Sequence, residues 1–416
     1  MTRLQIDGAR LWSSLMDMAR IGATAKGGVH RIAFSDLDRQ ARERFAGWAR
    51  DAGCTLRTDA FGNMFARRAG TDPDAPVVML GSHLDSQPTG GRFDGAFGVL
   101  AGLEVVRTMH DAGLRTRAPV EVVNWTNEEG CIFRPMLGSA VWTGLVPLET
   151  ALAMRHATEG WTIAEALARM GQAGEDPPGP PGPVACYIEA HIEQGPVLEA
   201  AGDWLGVVEA TQGQRWYDLV LEGREAHAGP TPMAARRDAL MGMARIALEV
   251  ERIARDIPQG CGTVGRAEVF PNSPNTIPGR VAFSADLRHP QAGVLAEMDA
   301  RFRRTAAAIA AERGLTLDIA ERADIPPLDF AAPVVAALER AARASGHPWR
   351  RMFTGAGHDA CNVARVLPTA MLFVPCRDGI SHNEAEDAEP EHLAAGAQVL
   401  ADAVLELAEA PMGASA

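Results

Sequence analysis

Between residues 76 and 126 the hydrophobic pattern changes period twice. Residues 76–82 (PVVMLGS) and 118–126 (APVEVVNWT) are apolar runs of strand length. In the segment that joins them, Phe97, Val99, Leu100, Leu103, Val106 and Met109 cover most of a helical circumference, leaving Glu104, Arg107, Thr108 and Asp111 on one face. This reads as a βαβ unit whose helix belongs to a core layer. Residues 171–186 (GQAGEDPPGPPGPVAC) can continue neither a helix nor a central strand and are expected as a surface loop.

From about residue 212 the rhythm becomes strand (RWYDLVLEG), helix (DALMGMARIALEVERIARD), strand (GTVGRAEVF), strand (GRVAFSADLRH), helix (VLAEMDARFRRTAAAIAAERG) and strand (LTLDIAERADI). The order βαββαβ predicts a ferredoxin-like, four-stranded antiparallel sheet with two helices on one face. After Pro326 and Pro327 the α/β pattern returns, with a helix at 332–345, a loop FTGAGHDA and a strand TAMLFVP. The expected architecture is a mixed-sheet α/β domain in 1–211 and 327–416, with 212–326 inserted into it. The two crossings are candidate hinges.

Composition narrows the partners. A chain of 416 residues with 47% hydrophobic content can bury more than one core. The formal charge of −13 disfavours nucleic acid and anionic membrane surfaces, because phosphate binding needs concentrated Lys and Arg, and so favours a small-molecule ligand. The opening MTRLQIDGARLWSSLMDMAR has helical spacing rather than the unbroken apolar core of a signal peptide. Six cysteines lie far apart without a CxxC pair, as expected of thiols in a reducing compartment, and the cytoplasm is the expected location.

Candidate chemistry gathers at strand ends, where sites of open α/β sheets lie. In GSHLDSQPTGGRFDG, His83 closes an apolar strand and Asp94 opens the buried helix, while Asp85 is placed to orient the imidazole. The second strand ends in Asn127-Glu128-Glu129-Gly130; adjacent carboxylates repel unless a cation or proton intervenes. Taken alone, the first motif reads equally well as a His and two Asp on a polar loop, and the second as a solvated acidic turn. His191 in CYIEAHIEQGPVLE and His382 in AMLFVPCRDGISHNEAE follow apolar runs, and each singly is more often a satisfied core or loop histidine. Together the set is two carboxylates and three imidazoles, which suits two divalent ions sharing one carboxylate. In the inserted segment, His227 lies in AHAGPTPM, Asn275 in NSPNTIPG and Arg288 in ADLRH. An imidazole with an amide can stabilise an oxyanion and a guanidinium forks onto a carboxylate. A turn cap and a surface ion pair are the plainer alternatives for Asn275 and Arg288.

The motifs GSHLDSQPTGGRFDG, NEEG, HIEQGPVLE, AHAGPTPM, PNSPNTIPG and GISHNEAE, in this order, resemble the hydantoinase/carbamoylase branch of the M20 metallopeptidase-like amidohydrolases. The resemblance runs over nearly the whole chain. That branch holds N-carbamoyl-L-amino-acid hydrolases, β-ureidopropionases, and allantoate and ureidoglycolate amidohydrolases. It implies one ion held by His83, Asp94 and His191, another by Asp94, Glu129 and His382, and Glu128 as general base. Zinc is the first expectation for the ions, with manganese, cobalt or nickel as alternatives. The family's substrate positions match Gln194, His227, Asn275 and Arg288, with backbone from Gly355, Ala356 and Gly357. It further implies a homodimer through the inserted domain, with His227 reaching the other subunit's site. One departure is that the branch usually has Arg before the Phe after NEEG, where this chain reads Cys131-Ile132-Phe133-Arg134. The expected activity is hydrolysis of an N-carbamoyl amino acid, with allantoate or another ureide as the nearest rival. A dipeptidase or aminopeptidase, and a silent binding homologue, rank lower.

Overall fold

A computed structural model describes residues 4–410; the first three residues and 411–416, nearly all of the APMGASA end, lie outside it. The chain divides into two compact units, one running to Glu209 and resuming at Phe330, the other spanning Ala210–Asp329.

The first unit is built on a mixed sheet of β1 (Thr55–Thr58), β2 (Met64–Arg68), β3 (Val77–His83), β4 (Val120–Trp125), β5 (Val184–Ile192), β6 (Leu205–Thr211), β7 (Trp349–Thr354) and β8 (Thr369–Val374). Their order is β1-β2-β4-β3-β5-β8-β6, with β7 also on β6. The four central strands run parallel. Every residue of β3, β4 and β8 is buried, as expected of parallel strands covered on both faces. Register puts His83 beside Trp125, and His191 beside Phe373. The carboxyl ends of β3, β4 and β5 are thereby brought level.

The Ala96–Asp111 helix is buried almost throughout, as its pattern predicts, but its polar stripe departs from expectation. Glu104 and Thr108 are buried rather than solvated. The N-terminal Gly8–Ala19 helix covers them: Arg10 donates to Glu104 from Nε at 2.9 Å and Nη2 at 2.7 Å, and Thr108 Oγ1 donates to Glu104 at 3.1 Å. Neutralisation by a bidentate guanidinium makes the burial of that carboxylate tolerable.

In the second unit Ala267–Phe270, Arg280–His289, Gly213–Glu222 and Thr316–Ile325 form an antiparallel sheet in that order. The strand expected over 262–270 is split. Cys261–Thr263 and Ala267–Phe270 both pair with Arg280–His289, on either side of a break at Gly265, so the sheet has five strands. Helices Ala239–Asp256 and Ala292–Glu312 enclose a core with Tyr217, Leu219, Phe283 and Phe302.

Candidate metal centre

At the carboxyl ends of β3 and β5, His83 and His191 converge on Asp94, the residue that precedes the buried helix's Gly95 cap. His83 Nε2 is 3.6 Å and His191 Nε2 3.2 Å from Asp94 Oδ1. The other oxygen of the same carboxylate, Oδ2, is 3.5 Å from His382 Nε2, which is in turn 3.3 Å from Glu129 Oε2. Each oxygen of Asp94 thus faces a different set of donors: His83 and His191 on one side, Glu129 and His382 on the other. Within each set the candidate ligand atoms lie within 4.8 Å of one another.

The imidazoles are oriented from behind. His83 Nδ1 faces the Asp85 carbonyl at 3.0 Å, and His191 Nδ1 the Ile192 carbonyl at 2.8 Å. A proton on each Nδ1 leaves an Nε2 lone pair directed at Asp94. Asp85 acts differently from the expectation for it. Its backbone oxygen orients His83, whereas its carboxylate is 3.8 Å from that ring and instead accepts the N–H groups of Glu128 at 3.2 Å and Glu129 at 3.1 Å. It therefore fixes the turn that presents both glutamates.

The site holds more negative charge than burial tolerates. Burial, with Asp94 adding to it, pushes Glu129 up to about 8. Burial also lifts Glu128 well above the usual carboxylate range, against the opposing pull of His83. For Asp94 burial acts upward too, but His191 and His83 outweigh it and hold the carboxyl well below its ordinary value. Burial disfavours a charged His83, yet Glu128, Asp94, Asp85 and Glu129 overcome that and raise it well above the imidazole value. Such a cluster demands positive charge. Paired imidazole and carboxylate donors of this kind fit borderline divalent ions, so the residues present suit the group that the motifs imply.

Glu128 belongs to neither donor set, although its Oε2 is 3.5 Å from His83 Nε2. Gln194, with a left-handed backbone at φ 57°, donates from Nε2 to Asp94 Oδ2 at 2.7 Å and lies 3.5 Å from His382 Nε2. Asn127 and His382 are also left-handed, at φ 58° and 53°. Side chains forced into that region cluster where the surrounding structure over-determines them. Gly355 to Gly357 form the turn between β7 and the Asp359–Val363 helix, with the Ala356 N–H donating to Thr354 Oγ1 at 3.1 Å. Phe133, at the departure after NEEG, is held edge-on between Phe34 and Trp161, and Arg134 is exposed.

The remaining expected residues belong to the second unit. His227 is exposed at the end of a two-residue strand paired with Thr276, and Asn275 Nδ2 is 3.5 Å from its Nε2, at the limit of a hydrogen bond. Arg288 donates to Asp286 Oδ2 on its own strand from Nε at 2.9 Å and Nη2 at 2.7 Å.

Three further residues shape the centre. Ser381 Oγ donates to Asp94 Oδ2 at 2.6 Å, and Glu386 accepts the N–H groups of Phe93 at 2.8 Å and Asp94 at 3.1 Å. Gln87 donates to Glu129. All three lie inside motifs already singled out, GISHNEAE and GSHLDSQPTGGRFDG, but the hydroxyl and amide are not ligand types and the Glu386 carboxylate is spent on backbone N–H groups distant in sequence.

A sequence profile of peptidase family M20/M25/M40 matches residues 79–406. The chain is 46% identical over 407 residues to an N-carbamoyl-L-amino-acid amidohydrolase of Rhizobium meliloti, with 97% of each chain covered. It is 35% identical over 397 residues to an allantoate amidohydrolase of Escherichia coli K12, with 94% of this chain and 96% of that one covered. Among solved structures it matches an amidase of the hydantoinase/carbamoylase family from Burkholderia multivorans, with a TM-score of 0.95, 52% identity, and 98% of this chain and all of that chain covered. Agreement of this extent, over the motifs that form the centre, means that the chain belongs to the M20/M25/M40 peptidase family.

Proposed function

We propose that the chain is a two-metal amidohydrolase that cleaves an N-carbamoyl amino acid, with one water, to the free amino acid, ammonia and carbon dioxide. The observation that carries this reading is the division of Asp94 between two donor sets, with Glu128 beside His83 and a member of neither set. The printed activities of the relatives, N-carbamoyl-L-amino-acid and allantoate amidohydrolase, support hydrolysis of a non-peptide C–N bond.

His83, Asp94 and His191 would hold one ion and Asp94, Glu129 and His382 the other, zinc first, with manganese, cobalt or nickel as alternatives. Such ions supply Lewis acidity to a carbonyl oxygen and acidify water. Glu128 takes a proton from the attacking water and returns it to the leaving nitrogen, a task for a carboxylate next to the metals but not bound to them. Gln194 and the Gly355, Ala356 and Gly357 backbone contact the substrate. Asn275, together with His227 from a second copy of the chain, hydrogen-bonds the oxyanion. Arg288 exchanges its fork on Asp286 for the substrate carboxylate.

In this reading the inserted segment is the dimerisation and lid domain and the working form is a cytoplasmic homodimer. No described helix is long and apolar enough to cross a membrane.

Ammonia release tests the proposal. Protein stripped by chelator and reloaded with zinc, manganese or cobalt is assayed on N-carbamoyl-β-alanine, N-carbamoyl-L-methionine, allantoate and a dipeptide. Metal-restored turnover of a carbamoyl amino acid supports the first reading. Turnover confined to allantoate selects the second, which the Escherichia coli relative favours. Cleavage of the dipeptide alone overturns both.

A further inference from the structure

The two donor sets are unequal. His83, Asp94 and His191 are all buried, whereas His382 is 51% exposed at its side chain and sits on a loop. Among the donors unique to the second set, Glu129 is therefore the one with a fixed frame, and one residue supplies much of it. The Gln87 N–H donates to Glu129 Oε1 at 3.1 Å, and its Nε2 donates to Glu129 Oε2 at 2.8 Å and to the Glu129 carbonyl at 3.1 Å. The amide oxygen of Gln87 accepts the Cys131 thiol at 3.4 Å, which closes the loop after NEEG onto the same clamp.

We infer that Gln87 is a positioning residue for the second metal ion: it holds both oxygens of Glu129 in place before the ion arrives, with Cys131 fixing the orientation of its amide. This rests on the two-ion reading above. Glutamine suits the task because one end of its side chain both donates and accepts. Glu at that position would repel Glu129, and an apolar side chain could not donate. Pro88, next in sequence, biases Gln87 toward extended backbone. A carboxylate already held loses less side-chain freedom on binding, and outer-sphere partners of metal ligands are typically worth 10- to 100-fold in affinity.

The test is cobalt titration of the stripped full-length protein, followed by d–d absorption and by competition with a fluorescent chelator, for the wild type, Gln87→Met and Cys131→Ala. The wild type is expected to take up two ions. Gln87→Met keeps the first affinity and loses about 10- to 100-fold in the second, with an altered band for the second equivalent. Cys131→Ala shifts the second affinity in the same direction by less. Gln87→Met with both affinities unchanged, or with both weakened equally, overturns this inference and leaves the two-ion reading standing. A wild type that takes up one ion or none overturns the two-ion reading and this inference with it.

Discussion

Glu128 Oε2 stands 3.5 Å from His83 Nε2, yet no oxygen of Glu128 joins either donor set. A carboxylate so placed can move a proton without being needed to hold an ion. Glu128→Gln should therefore lower turnover roughly 100- to 10,000-fold while metal content stays at the wild-type value. Near-normal turnover at full metal content would remove Glu128 from the role of base.

Gly95 predicts a different failure. A Cβ there would lie 2.3 Å from the His83 ring, and the backbone is left-handed at φ +63°. Gly95→Ala is expected to displace His83, lose metal from the first set, and destabilise the fold by about 1–3 kcal/mol. Metal analysis and thermal unfolding check the two effects separately.

Beneath the sheet ends, Arg42 and Asp38 form an ion pair at 2.7 Å, each almost wholly inaccessible to water. Arg42 also donates to the Gly62 carbonyl at 2.7 Å, and Asp38 accepts the Phe34 N–H at 2.9 Å. Arg42→Met would strand a buried carboxylate. We expect a loss of about 3–5 kcal/mol in urea unfolding, partly recovered in the double variant with Asp38→Asn.

Asp59 gives a pH prediction. Burial, against hydrogen bonds from Asn63 and Phe61, raises its carboxyl from 3.8 to about 6. The folded chain therefore binds this proton more tightly than the unfolded one. The stabilisation is fully present below about pH 4 and is lost as pH rises toward 6, by about 3 kcal/mol in all. Urea unfolding at pH 4 and pH 7 should show this component in the wild type and its absence in Asp59→Asn. Equal pH slopes for the two proteins would contradict it.

The architecture was legible where a pattern had one physical meaning. The apolar runs at 76–82 and 118–126 are of strand length and read as strands buried on both faces, and they are β3 and β4. His83, Asp94, Glu129, His191 and His382 could be grouped because imidazole and carboxylate are ligand types, and they do gather at one place. What escaped depended on partners distant in the chain. The stripe of Glu104 and Thr108 is buried because Arg10 reaches it from 94 residues away. Asp85 orients His83 through its carbonyl, a backbone group that the residue type does not reveal. Ser381 and Glu386 serve Asp94 from the far side of the insertion. A serine and a glutamate in an acidic loop give no sign of such a partner.

The order of the donors along the chain is also an order in time. During synthesis His83, Asp94, Glu129 and His191 all emerge before the Ala210–Asp329 unit, and His382 only after it. The strand that pairs with β5, Thr369–Val374, arrives equally late. A nascent chain halted after the insertion thus carries a complete first donor set, an incomplete second one, and a β5 edge without its neighbour. A chain broken anywhere before His382 therefore keeps the first donor set whole and leaves the second short of one donor.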